Sequence, residues 1–394
     1  MPTPSLFARH WRLDPDVTFL NHGSFGACPT EVLEKQTEFR QQLEAEPVRF
    51  LARELEARED QVRAALGEFI GAHPNDLALV PNATVGVNTV LNCLKLKPGE
   101  GILVTDHGYA ACRNAVERVA QRTGAKVVVA KIPFPIHSSD QVLQAIDEAF
   151  TPNIRFALID HITSPTALIL PIQQIVAKLH AKGVRVLVDG AHAPGMLPLN
   201  LDALGAEFYT GNCHKWMCAP KGAAFLHVRR DWQDKIVPLV TSHGMRINRT
   251  DRSRFRLEHD WTGTHDPTPW LCIPPAISLF SQLHPGGWQE QRQLNRDLTL
   301  RARTLLCTAL EIEPPAPDDM LGSMAASVLP ALKIPQMPPS LFEPLQDWLW
   351  HKHAIEVPVM RWPSPPVELL RISAQIYNTF EQFEILASTL QGLR

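Results

Sequence analysis

Val184-Arg-Val-Leu-Val-Asp-Gly-Ala-His192 is followed, after a short connection, by Glu207-Phe-Tyr-Thr-Gly-Asn-Cys-His-Lys-Trp216. Each stretch opens as a short apolar run of strand character and closes in polar, reactive side chains. In open α/β sheets, ligands bind beyond the carboxyl ends of the strands. The two endings therefore put an acid, Asp189, and an amine, Lys215, at one edge of one sheet. A buried acid is costly without a partner. A lysine set among His214, Trp216 and Met217 is desolvated, which lowers its pKa and frees the amine as a nucleophile. Taken singly, each has a plainer reading: Asp189 as a helix N-cap, and Lys215 as a side chain snorkelling past Trp216.

The same pattern extends on both sides. Strands are expected at Leu77–Val80, Gly101–Thr105, Lys126–Ile132, Ile154–Ile159, Val184–Val188, Glu207–Thr210 and Ala223–Val228. Helices are expected between most of them, at Thr84–Leu94, Tyr109–Arg122, Asp140–Phe150 and Ile172–Lys182. Alternation of this kind implies an α/β fold with a mostly parallel sheet between helices. The last run follows its neighbour so closely that an antiparallel pairing is possible. Two helices, Pro29–Glu46 and Val48–Ile70, precede the sheet, broken at Pro47. After about residue 270 the alternation fades. Helices at Ala276–Leu283, Gln289–Leu310, Pro339–His351 and Thr379–Leu390 mix with strands at Ala326–Leu329, Glu356–Met360 and Leu369–Ile372, reading as a smaller α+β domain. The expected division is a large domain over 21–270, with 1–20 and 271–394 forming the small one. Val80 is followed by Pro-Asn-Ala-Thr-Val-Gly-Val-Asn, small and hydroxyl residues at a helix start, where free N–H groups and the helix dipole favour a phosphate. Thr84 alone could equally be an N-cap.

Composition narrows the class. The 394 residues carry a net charge of −3, which gives no sign of nucleic-acid or membrane attraction. No apolar run is long enough to span a bilayer. The start, Met1-Pro2-Thr3-Pro4-Ser5, lacks signal-peptide character. Seven scattered cysteines without a C-x-x-C pair suggest free thiols. A cytoplasmic protein is expected. Absence of G-x-G-x-x-G after a strand and of clustered metal-ligand spacing argues against a nicotinamide or metal enzyme.

Seven stretches together carry a resemblance: Phe19-Leu-Asn-His-Gly-Ser-Phe-Gly26, Asn82-Ala-Thr-Val-Gly-Val-Asn88, Asp160-His-Ile-Thr-Ser-Pro-Thr166, Val188-Asp-Gly-Ala-His192, Gly211-Asn-Cys-His-Lys-Trp216, Trp261-Thr-Gly-Thr-His-Asp266, and Arg371-Ile-Ser373 with Tyr377-Asn378. In this order the chain resembles the class V aminotransferase superfamily, pyridoxal 5'-phosphate (PLP) fold type I, and within it the isopenicillin N epimerase-like group. The resemblance implies that Lys215 carries PLP as a Schiff base, that Asp189 pairs with the pyridine nitrogen, and that His192 approaches the ring. It implies that Ala83, Thr84, Asn212 and His214 hold the phosphate, and that Thr163 or Ser164 approaches the phenolic oxygen. Tyr109, with His107 second, would stack on the ring. Gly263 and Thr264 would reach the phosphate of a neighbouring subunit in a homodimer. Arg371 would clamp the substrate carboxylate, and Asn21, His22 and Ser24 would line the substrate mouth. The implied function is epimerisation or racemisation of an amino acid, with a C–S (β-) lyase or an aminotransferase as the alternative on the same residues. A second acid for an epimerase is open between His22, Tyr109 and a water. From another class, a non-catalytic protein of this fold is weighed against intact Lys215 and Asp189. Related cysteine desulfurases carry a mobile cysteine in the C-terminal domain; here Ile355–Pro366 contains none and none follows Cys307, which argues against that activity.

Overall fold

The computed structural model describes residues 5–394. The strands in chain order are β1 (Thr18–Phe19), β2 (Leu77–Val80), β3 (Gly101–Thr105), β4 (Lys126–Ala130), β5 (Ile154–Asp160), β6 (Arg185–Asp189), β7 (Phe208–Asn212), β8 (Ala224–Val228), β9 (Met324–Val328), β10 (Ile355–Glu356), β11 (Val359–Arg361) and β12 (Glu368–Ser373). Seven of them form one sheet in the order β2-β8-β7-β6-β5-β3-β4. β8 pairs antiparallel with β2 and β7, and the other pairs are parallel.

The apolar runs explain why this sheet is sandwiched. Side chains alternate between faces along a strand. Leu103, Ala157, Ile159, Val186 and Val188 enter one apolar cluster, while Ile102, Val104, Phe156, Leu158 and Leu187 enter another. Both faces are therefore dry, and helices such as Ala83–Cys93, Ala110–Thr123 and Ile172–Ala181 cover them. All strand-to-helix connections of the parallel strands then leave from one edge, which is where a cavity forms.

The C-terminal part builds a three-stranded antiparallel sheet, β11-β12-β9, while β1 pairs with β10 in parallel. Prolines account for the departures from the expected elements in the C-terminal part. The expected strand Glu356–Met360 is split into β10 and β11 at Pro358, which has no N–H to give a ladder. The helix expected from Pro339 begins only at Pro344, in its first turn, and runs to His353. The helix expected over Val48–Ile70 starts as π-helical turns at Arg49–Glu54 and becomes α-helical at Leu55–Ile70. Among the described residues no helix is long and apolar enough to cross a membrane.

One buried cation ties the sheet to its surroundings. Arg63, 1% exposed, donates to the Leu77 carbonyl at 3.1 Å, to Asp260 at 2.6 Å and to Glu59 at 3.3 Å. It thereby joins the helix Leu55–Ile70 to the start of β2 and to the end of the helix Arg254–His259. Removing one partner of a buried ion network costs about 3–5 kcal/mol. Arg63→Ala should lower the stability measured by urea unfolding by that amount, whereas an exposed pair such as Arg12–Glu34 should tolerate the same change within about 1 kcal/mol.

Candidate active site

A cavity of about 390 Å³ opens at the carboxyl edge of the sheet, and its wall includes Thr84, Tyr109, Asp160, Asp189, His192 and Lys215. Two close approaches shape it. A Cβ on Gly26 would stand 2.1 Å from the His214 carbonyl, so only glycine lets the Asn21–Gly26 turn lie against the Lys215 turn. A Cβ on Gly190 would stand 2.2 Å from the Tyr209 ring, so the residue after Asp189 must also be bare.

Lys215 sits on the loop between β7 and β8. Its Nζ lies 3.2 Å from His192 Nε2. The Trp216 indole N–H donates to His192 Nδ1 at 3.4 Å. Indole can only donate, so Nδ1 accepts and the imidazole proton resides on Nε2. That proton faces Lys215, whose nitrogen must then accept it as a neutral amine. Burial, and next the positive Arg371, lower the Lys215 pKa to about 7. Burial likewise holds His192 well below its usual value.

Asp189 is 3% exposed. Its Oδ2 accepts from the Cys112 thiol at 3.1 Å and its Oδ1 from the Ala191 N–H at 3.0 Å. Asp160 stands in register with it on the neighbouring strand and shares the cavity wall. Burial, and then the neighbouring Asp189, push Asp160 well above the usual carboxylate range. Asp189 is also raised by burial, offset by its thiol and N–H donors. Asp189 thus has the better claim to the negative charge.

At the other end, Asn82 caps the helix Ala83–Cys93 by accepting the Val85 N–H, and Asn212 accepts the Ala83 N–H at 2.8 Å. Thr84, in the first turn, adds a hydroxyl where N–H groups lack intrahelical acceptors. His214 Nδ1 donates to the Ala223 carbonyl at 3.1 Å. Its pKa is lowered to about 4, chiefly by burial, so its other nitrogen is unprotonated. Lys221 adds a cation to the same wall.

Arg371, 3% exposed, comes from β12. It donates to the Ser164 carbonyl at 2.5 Å and to the Ser24 hydroxyl at 3.1 Å. No carboxylate among the described residues pairs with it, and its Nε is buried without a partner. Burial lowers it to about 10, so it remains charged at neutral pH.

Several sequence expectations are corrected by this geometry. His22 does not line the mouth: it is fully buried behind Lys215. Its Nε2 donates to the Lys215 carbonyl at 3.0 Å and its Nδ1 accepts from the Tyr377 hydroxyl at 2.8 Å. With both nitrogens engaged and burial taking its pKa to about 3, it is no candidate for a second acid. Asn21 is also withdrawn, accepting from Ser24 and donating to Glu356, while Ser24 reaches the wall. His107 is fully buried, bonded to Thr166 and the Ile132 carbonyl and packed on Trp362. Tyr109, 45% exposed, holds the wall position. Thr163 is turned inward to Thr166 and the Leu168 N–H, leaving Ser164 at the cavity. Gly263 and Thr264, expected to reach a neighbouring subunit, lie off this chain's own wall on a turn where Thr264 is exposed, and that expectation is not corrected by this placement. Asp160 and Cys112 were not singled out from sequence. Asp160 carries the signal that marked Asp189, an acid ending an apolar strand; Cys112 carries none.

The fold is PLP fold type I. The solved structures of C-DES, a cystine C–S lyase seen with its product cysteine persulfide and, in a mutant, with glycine covalently linked to its PLP cofactor, match with TM-scores of 0.78 at 21% and 20% identity, covering 96% of this chain and 98% and 97% of those chains. Residues 19–283 match the family model of aminotransferase class V, and the chain belongs to that family. Isopenicillin N epimerase of Streptomyces clavuligerus is 37% identical over 97% of this chain and 96% of its own. A probable chloroplastic L-cysteine desulfhydrase of Arabidopsis thaliana is 28% identical over 99% of this chain and 85% of its own.

Two tests follow from the electrostatics. Reductive labelling of Lys215 by an aldehyde and borohydride should speed up as pH rises through about 7 and then level off; a surface lysine keeps accelerating toward about 10.4. A rate for the mapped Lys215 peptide that follows the surface lysines would contradict the neutral amine. Asp160 tests the paired acids. A carboxyl whose folded pKa is raised costs stability once pH exceeds its unfolded value, because the unfolded chain releases its proton first. Asp160→Asn should therefore melt higher than the parent at pH 7 and level with it near pH 4 or below, in the ligand-free chain. An equal advantage at both pH values would mean that shape, and not charge, is responsible.

Proposed function

We propose that this cavity binds PLP and that the chain is an amino-acid epimerase or racemase of the isopenicillin N epimerase-like group. The observation that carries the reading is near-full-length similarity to an isopenicillin N epimerase, on a wall whose groups match the cofactor piece by piece. A pyridine N–H suits the carboxylate of Asp189. A phosphate suits the first turn at Ala83 and Thr84, with Asn212 and His214 beside it. Ser164 suits the phenolic oxygen, and Tyr109 the ring face. The aldehyde carbon suits the neutral amine of Lys215.

When bound, the cofactor supplies an electron sink for the negative charge left at Cα after proton loss. The chain does the rest. Arg371 presents a planar fork, free of any acid partner, to the substrate α-carboxylate. Lys215 Nζ takes and returns the Cα proton on one side, steadied by the N–H of His192. Asp189 stays ionised under its thiol and amide donors. On the other side the proton donor is the Tyr109 hydroxyl or a water. Phe25, 74% exposed at the mouth, together with exposed Val237, Leu239, Val240 and Met245, offers apolar surface for a second copy. In such a homodimer Gly263 and Thr264 would complete the partner's phosphate site. All seven cysteines are free thiols, which fits a reducing compartment such as the cytoplasm.

A second reading, a C–S β-lyase, is favoured by the desulfhydrase relative. It uses the same proton abstraction but expels a β-substituent. An aminotransferase is the third.

The test is incubation of α-amino acids in heavy water, following Cα–H exchange, inversion of optical configuration, and release of sulfide, pyruvate or ammonia. Inversion without β-elimination is expected. Sulfide release from cysteine without inversion would replace the epimerase reading with the lyase. Arg371→Ala should weaken action on an amino acid at least tenfold more than on its decarboxylated amine, with the absorbance of the bound cofactor unchanged; each factor of ten corresponds to about 1.4 kcal/mol. An equal loss on both substrates would show that Arg371 serves the fold instead.

A further inference from the structure

We propose that Asp76, Asp202 and His227 bind one divalent transition-metal cation of the zinc class, on the edge of the sheet opposite the active-site cavity. The three residues are far apart in sequence, so no ligand spacing announces them. Asp76 ends a turn before β2, Asp202 lies in the short helix Leu201–Leu204, and His227 is near the end of β8. One ligand atom from each lies within 4.8 Å of the others. Because β8 runs against its neighbours, His227 lies toward the amino ends of the parallel strands, opposite Leu77 and Tyr209.

The second observation is the histidine itself. His227 is 3% exposed, yet neither ring nitrogen makes a hydrogen bond; Nδ1 is buried without a partner, and Nε2 stands 3.8 Å from Asp202 Oδ1. The nitrogen that faces Asp202 is Nε2, and with the ring proton on Nδ1 its lone pair is engaged by no hydrogen bond and is open to an ion. The surrounding charges leave room for a cation. Gln233 donates to Asp76 Oδ1 at 2.7 Å, orienting that carboxylate. Arg230, whose Nε is 3.7 Å from Asp76, has a 70% exposed side chain and can swing into solvent.

One imidazole nitrogen with two carboxylate oxygens suits zinc, cobalt or manganese; magnesium and calcium favour all-oxygen shells. Zinc holds such ligands at about 2.0–2.2 Å, so the ligand atoms must close toward the ion. Asp202, at 56% side-chain exposure, is the arm free to do so. Water would fill the outer positions. The ion would then tie the short helix to the β2–β8 edge.

The experiment is calorimetric titration of the chelator-treated full-length protein with zinc, with cobalt substitution read by visible absorption. One zinc per chain is expected, with a higher melting temperature and a cobalt spectrum lacking an intense thiolate charge-transfer band. Asp202→Asn, a solvent-side change that should not disturb folding, is expected to weaken zinc binding at least tenfold; His227→Gln should do the same. Absence of binding, a thiolate band, or undiminished affinity in Asp202→Asn would overturn the site.

Discussion

Burial beside Arg371 brings the Lys215 amine down to about 7, so that a neutral fraction exists at ordinary pH, and much of the rest is arranged around that condition. A charged ammonium on this wall would face the guanidinium of Arg371 and the N–H of His192, with desolvation added. Lys215 is held there from two directions. From behind, His22 grips its carbonyl and is itself fixed by Tyr377. From the side, the bare Cα of Gly26 lets the preceding turn close against the same backbone. The loop cannot relax outward without breaking these buried hydrogen bonds.

The wall is also electrically asymmetric. Arg371 supplies a full positive charge at one side, and Asp189 a supported negative charge at another. Neither is neutralised by a direct ion-pair partner among the described residues. Such unsatisfied charge is costly in an isolated protein. It is pre-organised for a ligand bearing the complementary groups. The Asp160–Asp189 pair raises the cost further, since two carboxyls in register cannot both ionise cheaply.

The sheet was readable because buried parallel strands are nearly pure apolar runs, so their ends are sharp. Asp189 and Lys215 follow from that sharpness alone. Asp160 carries the same signal, an acid that ends an apolar strand, within a stretch whose hydroxyl residues Thr163 and Ser164 are the more conspicuous. What could not be read is direction within turns. In the Asn21–Gly26 turn, Ser24 reaches the cavity while His22 and Asn21 face away, and no periodicity governs that choice. The same holds for His107 against Tyr109, two residues apart. Cys112 lies beyond sequence reading altogether, since its role arises where a helix start meets the end of β6. Proline chemistry explains the misplaced ends of the C-terminal elements, where Pro344 starts a helix and Pro358 parts two strands.

The position of Arg371 on β12 has a stereochemical consequence. If, as proposed, Arg371 holds the carboxylate and the amino nitrogen is bound to the cofactor, only two groups on the α-carbon remain free to exchange places: hydrogen and the side chain. The two mirror-image substrates would therefore differ in which of these faces the lysine and which faces Tyr109. Tyr109 stands at the solvent-side rim, 45% exposed, whereas Lys215 is enclosed. On that reading the group that distinguishes the two mirror-image substrates stands at the rim, and a change of chirality preference could arise there while Arg371 and Lys215 stay as they are.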